Sequence, residues 1–258
     1  HLDPGLEVEM SDLVSIIIPY YKKKYFFEKT INSIVNQTYR NFEVILIYDD
    51  NHKTELSFVK TSLKKIKNKK IIFNKKNLGV GVSRNLGIKK SKGKFLSFLD
   101  ADDVWDKNKL NSQIKFMKTN NLNFSYSNYS IIDEKDVLIK KIKSPKMINF
   151  KKLLFSCDIA LSSVIVNSNI QKEVNFPNIK TKEDYLLWLK LSKKNIKMMG
   201  INKNLTFWRK TSNSLSSSLT QKLKDAFFVY NKYLKFNFIM TIILILFLSI
   251  NSLIKKYL

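Results

Sequence analysis

The stretch that decides the fold is Phe95-Leu-Ser-Phe-Leu-Asp-Ala-Asp-Asp103, in which a short apolar run leads directly into three carboxylates. An apolar run of this length is typical of a buried strand in a parallel sheet. Unpaired carboxylates next to a buried strand are costly to desolvate, so the cluster indicates a bound cation. Mg²⁺ or Mn²⁺ would suit oxygen ligands, whereas the alternative interpretation is a set of acids at the start of the following helix.

Strands and helices alternate on both sides of this stretch. The predicted strands are residues 13–19, 42–47, 70–74, 94–99 and 123–133, and the predicted helices are residues 26–37, 55–67, 80–91, 108–119 and 185–193. Regular alternation predicts an α/β fold with helices on both faces of a sheet, whose ligands lie beyond the carboxyl ends of the strands. Asp49 and Asp50 follow the second predicted strand, at the same level as the Asp100 cluster.

The composition is strongly basic, with 46 Lys and Arg against 21 Asp and Glu and a formal net charge of +25. Such a charge attracts polyanions, which include nucleic acid, anionic lipid and phosphorylated substrates. The lysines are scattered and no nucleic-acid-binding module is recognisable, so a solvated or lipid-facing surface is favoured over a nucleic-acid groove. The single cysteine, Cys157, favours a reducing compartment.

The two ends of the chain differ from its middle. Residues 1–10 are expected to be a vector remnant, with Met10 as the native start, followed by a catalytic domain over residues 11–225 and a hydrophobic and basic tail over residues 226–258. Residues 236–254 carry no charge and would span about 28 Å as a helix, barely the thickness of a hydrocarbon core. The tail is therefore expected to lie on the membrane or to cross it once, and the alternative is packing against the domain itself.

Six motifs in order carry a resemblance to a known family. The chain resembles the inverting glycosyltransferases of family 2, which have the GT-A fold, a Rossmann-like mixed sheet flanked by helices. The motifs are Val14-Ser-Ile-Ile-Ile-Pro-Tyr-Tyr-Lys22, Gln37-Thr-Tyr-Arg-Asn-Phe-Glu-Val44, Asp49-Asp50-Asn51, Asn77-Leu-Gly79, Ser83-Arg-Asn-Leu-Gly87 and Asp100-Ala-Asp-Asp103. The resemblance recurs around Glu183-Asp184 and at Thr206-Phe-Trp-Arg209.

The resemblance implies a nucleotide-sugar site. Tyr21 would border the uracil, Asp50 would read its edge and Arg209 would lie near the diphosphate. The full set of implied contacts to the nucleotide sugar is Pro19, Tyr21, Asp49, Asp50, Arg84, Asp100, Ala101, Asp102 and Arg209.

The resemblance also implies a metal ion and a general base. Asp102 would be the main ligand of Mn²⁺ or Mg²⁺, with Asp100 and Asp103 as its neighbours. Asp184 would be the base; without the resemblance, Glu183 and Asp184 are more simply interpreted as acids at a helix N-terminus.

The expected function is inverting transfer of a hexose or N-acetylhexosamine from a UDP-sugar to a lipid-linked saccharide, at the cytoplasmic face of the inner membrane. The expected partners are the UDP-sugar, the lipid-linked or oligosaccharide acceptor and an anionic membrane surface, without nucleic acid. Two alternatives stay open: a basic nucleic-acid-binding protein and a metal-dependent nucleotidyltransferase, although residues 19–24 lack the glycines of a phosphate loop. No pattern indicates an oligomeric state.

Overall fold

A computed structural model of the chain describes residues 12–51, 53–211 and 219–257. The predicted vector remnant and Met10 lie outside these residues. The helices are α1 (Lys24–Val35), α2 (Leu56–Ser62), α3 (Val80–Lys90), α4 (Lys109–Thr119), α5 (Phe150–Phe155), α6 (Glu183–Lys193), α7 (Leu219–Phe227) and α8 (Phe238–Tyr257). The strands are β1 (Val14–Tyr20), β2 (Phe42–Tyr48), β3 (Lys69–Phe73), β4 (Phe95–Phe98), β5 (Val104–Trp105), β6 (Phe124–Ile132), β7 (Leu138–Ile142), β8 (Met147–Ile148), β9 (Ile165–Asn167) and β10 (Met198–Arg209).

The described strands form one mixed sheet in the order β3-β2-β1-β4-β9-β6-β10-β5, with β7 beside β6 and β8 beside β10. β1 pairs in parallel with β2 and with β4, whereas β9 runs antiparallel to β4. The carboxyl ends of β1, β2 and β4 are therefore neighbours. This places Tyr21, Asp49 and Asp100, the residues that follow these strands or come just after them, along one edge of the sheet.

Helices cover both faces of the sheet, so β1 is buried along its whole length. Successive strand residues point to opposite faces. Ile16 and Ile18 accordingly pack in one core with Phe27 of α1, and Ile17 packs in the other with Trp188 of α6. This double burial explains the continuous apolar pattern that predicted β1.

The helices and strands predicted up to residue 133 are present with small shifts of their ends. The predicted helix 55–67 is a shorter α2 between two short 3-10 turns, residues 53–55 and 63–65. The sequence did not predict β7 to β10. The longest of these, β10, runs parallel to β6 and carries Arg209 to the edge where Asp102 lies.

The C-terminal region folds onto the domain. The predicted boundary between residues 225 and 226 lies inside α7, and a π-helical segment, Phe228–Tyr233, leads on to α8. Leu244 and Thr241 of α8 are buried, whereas much of the helix is exposed and apolar. In the described ranges no helix combines the length and apolarity needed to cross a membrane. The exposed apolar side chains of α8 are Phe238, Ile239, Met240, Ile242, Ile243, Leu246, Phe247, Ile250 and Leu253.

Candidate active site

The turn after β4 holds the Asp100 cluster in a fixed shape. The buried Ala101 accepts a hydrogen bond at its carbonyl from Thr30 Oγ1 of α1, at 3.1 Å. The Asp102 side chain is 13% exposed, and its Oδ2 lies 2.6 Å from Lys23 Nζ. Lys23 immediately precedes α1. The acidic turn is therefore held by a hydrogen bond from Thr30 of α1 and by the positive charge of the residue just before that helix.

Asp103 points into the protein. Its Oδ2 accepts a hydrogen bond from Ser162 Oγ at 2.6 Å, and its Oδ1 accepts one from the backbone N–H of Arg209 at 2.9 Å. The side chain is 1% exposed. Through these two hydrogen bonds Asp103 joins the turn to the end of β10, and its expected share of the metal stays a prediction.

Asp49, whose expected contact with the nucleotide stays a prediction, shapes the loop before α3. Its carboxylate accepts hydrogen bonds from the backbone N–H groups of Leu78 at 2.8 Å and Gly79 at 2.9 Å, and from Asn74 Nδ2 at 2.8 Å. Gly79 has a φ of +89°, a conformation that glycine adopts without steric cost. Asp49 thus fixes the start of α3. The next residue, Asp50, also lies just after β2 and is 6% exposed.

Arg84 of α3 links two acidic segments. Its Nη2 lies 2.7 Å from Asp100 Oδ1 and its Nη1 lies 2.6 Å from Glu183 Oε1, while the guanidinium sits 5.3 Å from the centre of the Phe176 ring. Arg84 is 2% exposed, and a buried charge of this kind requires partners. The bridge brings the predicted donor-side acids and the Glu183-Asp184 pair into one site.

Glu183 and Asp184 begin α6, where the helix dipole favours negative charge. Burial raises the pKa of Glu183 to about 7, with Arg84 acting in the opposite direction and Asp184 adding to the increase. Burial also raises the pKa of Asp184 above its ordinary value, and Arg84 again opposes this. Asp184 Oδ1 accepts a hydrogen bond from the N–H of Tyr185 at 2.7 Å, which orients the carboxylate.

The acids of the Asp100 turn offer few ligands to a metal by themselves. Asp100 is paired with Arg84 and Asp102 with Lys23, and burial raises the pKa of Asp102. Among the side chains that the structure describes, no three acidic, histidine or cysteine groups form a ready metal cluster. Any ion held here would need further ligands from substrate.

Arg209 contacts the acidic turn and the β6–β7 hairpin. Its Nε donates to the carbonyl of Asp102 at 2.9 Å, its Nη1 donates to the carbonyl of Asp133 at 2.8 Å, and its Nη2 lies 2.5 Å from Asp136 Oδ1. The guanidinium is buried, 4.9 Å from the centre of the Phe26 ring. These contacts join the acidic turn to the β6–β7 hairpin, and the expected position of Arg209 near a diphosphate stays a prediction.

The two remaining predicted contacts lie at the end of β1. Pro19 is buried and stands opposite Ile47 of β2, so it helps to form the sheet edge. Tyr21 is 43% exposed, with Lys22 Nζ 5.1 Å from its ring centre. Tyr21 is thus an exposed aromatic residue just after β1, whereas Pro19 is part of the buried sheet.

Sequence reasoning missed two residues of this site. Lys23 belongs to a run of three lysines that we interpreted as surface charge, and only its ion pair with Asp102 distinguishes it. Ser162 donates to Asp103 and accepts from the N–H of Asp100 at 3.1 Å, but it lies in a stretch where the sequence has no readable pattern.

Comparison with known proteins identifies the family. The family model for glycosyl transferase family 2 matches residues 15–170, which is more than half of the chain. The chain belongs to glycosyl transferase family 2. A relative named UDP-Glc:alpha-D-GlcNAc-diphosphoundecaprenol beta-1,3-glucosyltransferase WfaP, from Escherichia coli, is 39% identical over 82% of this chain and 83% of its own length. An uncharacterized glycosyltransferase of Rickettsia bellii is 41% identical over 75% of this chain, but the match spans only 28% of that longer protein.

Solved structures confirm the GT-A architecture of this family-2 chain. The Staphylococcus aureus protein TarS (residues 1–349), in complex with UDP-GlcNAc, superposes with a TM-score of 0.68 at 20% identity, covering 84% of this chain and 65% of that one. The mannosyltransferase PcManGT of Pyrobaculum calidifontis, in complex with GDP-Man and Mn²⁺, has a TM-score of 0.67 at 12% identity, covering 87% and 64%. At these identities the likeness concerns the fold alone.

Proposed function

We propose that the chain transfers a hexose or N-acetylhexosamine, with inversion, from a UDP-sugar to a lipid-linked saccharide used in cell-surface polysaccharide synthesis. The observation that carries this is the Arg84 bridge, which joins Asp100 of the donor-side turn to Glu183, the neighbour of the proposed base. The name of the WfaP relative, 39% identical, supports this donor and acceptor class. Family membership disfavours the nucleic-acid-binding and nucleotidyltransferase alternatives.

The donor is proposed to bind across the ends of β1 and β2. The exposed ring of Tyr21 suits stacking on a base, and a carboxylate such as Asp50 can accept hydrogen bonds from a base N–H or from ribose hydroxyls. Ligands of α/β sheets bind beyond the carboxyl ends of the strands, which supports this location.

The residues of the Asp100 turn fit a divalent ion that arrives with its substrate. Mg²⁺ is usually bound by one or two protein carboxylates together with substrate phosphates, so a protein cluster of three acids is unnecessary. Asp102, with Asp100 beside it, would hold Mn²⁺ or Mg²⁺, and Lys23 supplies the present countercharge. When bound, the ion would supply Lewis-acid stabilisation of the departing diphosphate.

Asp184 is proposed to remove the proton from the acceptor hydroxyl as that oxygen attacks the anomeric carbon. A single in-line attack breaks the bond to the diphosphate and inverts the configuration. Burial raises the pKa of Asp184, which makes its carboxylate a stronger base than an exposed one. A positioned base of this kind contributes about 10² to 10⁴-fold to the rate.

The acceptor is proposed to reach the site from a membrane surface on which α8 lies. The exposed fraction of Ile239 is 71% and that of Phe238 is 65%, and apolar side chains of this size on one helix are typical of insertion at a membrane interface. The net charge of +25 adds attraction to anionic lipid. We place the chain at the cytoplasmic face as a peripheral protein. Substitution of Phe238 and Ile239 by Asp is expected to abolish co-sedimentation with anionic vesicles, and unchanged co-sedimentation would contradict this attachment.

The transfer is tested with a panel of UDP-sugars and a polyprenyl-diphosphate GlcNAc acceptor, with the product detected by mass spectrometry. The expected result is one new glycosidic bond, formed with Mn²⁺ or Mg²⁺ and lost with EDTA. Failure to extend the acceptor with any UDP-sugar would overturn the proposed donor and acceptor, and full activity in EDTA would overturn the metal.

A further inference from the structure

The C-terminal helices reach the turn that carries Asp184. Asp225 of α7 accepts two hydrogen bonds at one oxygen, from the N–H of Thr181 at 2.9 Å and from Thr181 Oγ1 at 2.6 Å. Its other oxygen accepts from Gln221 Nε2 at 3.0 Å. Asp225 is 8% exposed and Thr181 is 6% exposed, so these contacts are shielded from water. Thr181 lies three residues before the proposed base.

A second contact holds the other side of the same turn. Tyr230, in the π-helical segment, places its hydroxyl 2.8 Å from the hydroxyl of Tyr185, which directly follows Asp184. Each hydroxyl also lies near a backbone carbonyl of α5, Tyr185 at 2.6 Å from Leu153 O and Tyr230 at 2.7 Å from Leu154 O. Tyr185 and Tyr230 are both buried, so the chain is held on either side of Asp184.

The backbone between these contacts adopts an uncommon conformation. Lys182 has a φ of +63°, in the left-handed region, although it is not glycine. A non-glycine residue held there is strained and persists only when its surroundings fix it. Here Thr181 is fixed by Asp225 and Glu183 is fixed by Arg84. The orientation of the Asp184 side chain therefore depends on two contacts, one from Asp225 near the C-terminus and one from Arg84 of α3.

The exposed helix α8 belongs to the same packed unit. Asn251 Nδ2 donates to the carbonyl of Phe155 at the end of α5 at 2.8 Å, and the rings of Phe155 and Phe247 meet edge to face at 5.4 Å. The N–H of Phe236 donates to the carbonyl of Tyr230 at 3.0 Å. The apolar tail and the base-bearing turn thus share α5 and Tyr230 as common supports.

We infer that Asp225 and Tyr230 are positioning residues for the base, so that the C-terminal helices complete the active site in addition to offering an apolar surface. This inference rests on the proposed function, because it takes Asp184 as the base. Neither residue touches reacting atoms; both act through Thr181 and Tyr185. A misplacement of about 1 Å at a reacting group can cost about 10²-fold in rate, so loss of the contact should reduce turnover more than donor binding.

The test compares Asp225→Ala with Asp225→Asn in the full chain. Asp225→Ala is expected to lower kcat by about 10²-fold and to leave the donor KM and the UDP-induced thermal shift within about twofold. Asn keeps an oxygen for the two bonds from Thr181, and its amide can donate to a rotated Gln221, so Asp225→Asn should recover most of the activity. The matched control is Lys224→Ala, which alters the exposed neighbour on the same helix.

The outcomes separate this inference from the proposed function. Wild-type kcat in Asp225→Ala, or equal losses in the Ala and Asn variants, would overturn the positioning role. If Asp225→Ala does not fold, Thr181→Val decides, because it removes one bond and keeps the backbone N–H; a lower kcat at unchanged KM is expected, and no change in kcat would overturn the inference. A wild-type chain that transfers no sugar would instead overturn the proposed function.

Discussion

Arg84 and Arg209 are the same residue type, both are buried, and the sequence predicted both next to the nucleotide. Their surroundings differ. Arg84 pairs with Asp100 and Glu183, one acid from each half of the proposed site. Arg209 pairs with Asp136 and with the carbonyl of Asp133 at the β6–β7 hairpin, and it also donates to the backbone carbonyl of Asp102. The motifs predicted two buried cations, and their different partners lead us to propose a catalytic role for Arg84 and a structural role for Arg209.

The geometry of β10 explains the difference. Arg209 stands opposite Ile132 of β6, next to the turn of the β6–β7 hairpin, and its guanidinium lies 4.9 Å from the centre of the Phe26 ring of α1. Arg84 projects from α3, which begins at the loop fixed by Asp49, toward the start of α6. We expect substitutions around Arg84 to change activity, and substitutions around Arg209 to change stability alone.

The largest effect is expected for Asp184→Asn, in the Arg84 region. The amide is nearly isosteric but cannot take a proton, so kcat should fall by about 10² to 10⁴-fold. Binding of UDP with Mn²⁺, followed by calorimetry, should be unchanged. Near-normal turnover would show that the base lies elsewhere.

Arg84→Gln is expected to have the next largest effect, and it should change both the free energy of unfolding and the pH dependence of kcat. It leaves Glu183 buried without its cation, at a cost of about 3 kcal/mol in unfolding free energy. Arg84 lowers the pKa of both Glu183 and Asp184, so its removal raises both, and the base is then ionised only at higher pH. The acid limb of the kcat profile should therefore move to higher pH.

Arg84→Lys is the matched control, since it keeps the charge and loses the second hydrogen bond. Its acid limb should lie between those of the wild type and Arg84→Gln. If the acid limb of the kcat profile stays at the wild-type pH in both variants, Arg84 does not influence the proposed base.

Arg209→Gln should reduce stability with little change in the pH profile. Loss of its charged hydrogen bonds is expected to cost about 1.5–3 kcal/mol in a urea unfolding experiment. Asp184 is not among its partners, so the acid limb should remain at the wild-type pH. A shift as large as that of Arg84→Gln would erase the distinction between the two arginines.

The smallest effect is expected for Lys29→Ala. Lys29 forms an ion pair with Asp136 at the edge of the Arg209 region, and both side chains are largely solvent-accessible. Exposed pairs contribute about 0–1 kcal/mol, so urea unfolding should change by less than 1 kcal/mol. A loss comparable to that of Arg209→Gln would mean that Lys29 contributes as much to stability as Arg209 does.

The first half of the fold could be predicted because its pattern is local. β1, β2 and β4 are buried on both faces, so their sequences are continuous apolar runs, and each is followed by a helix with regular spacing. The strands β7 to β10 could not be predicted. β8 and β9 are two and three residues long, and β10 contains polar residues such as Asn202 and Asn204. Their pairing depends on contacts far apart in the sequence.

The sequence identified many of the residues at the site, but it did not show which contacts each of them makes. Asp49, Asp103 and Arg209 occupy motif positions, yet each is committed to bonds within the protein. A sequence pattern records which residue stands at a strand end and does not record which way its side chain turns. The Asp225–Thr181 contact had no sequence signal, because its two residues are far apart in the chain and neither belongs to a motif that we recognised.

The most direct test of the Arg84-centred site is a crystal structure of the chain with UDP and Mn²⁺, with the metal located by anomalous scattering. The expected result is a manganese peak at the Asp102 carboxylate, with the nucleotide across the ends of β1 and β2. A cleft of about 1030 Å³ between α1 and the β6–β7 hairpin, lined by Lys29, Asp136 and Lys141, offers the nucleotide another place. UDP bound there, with no manganese at Asp102, would contradict the account.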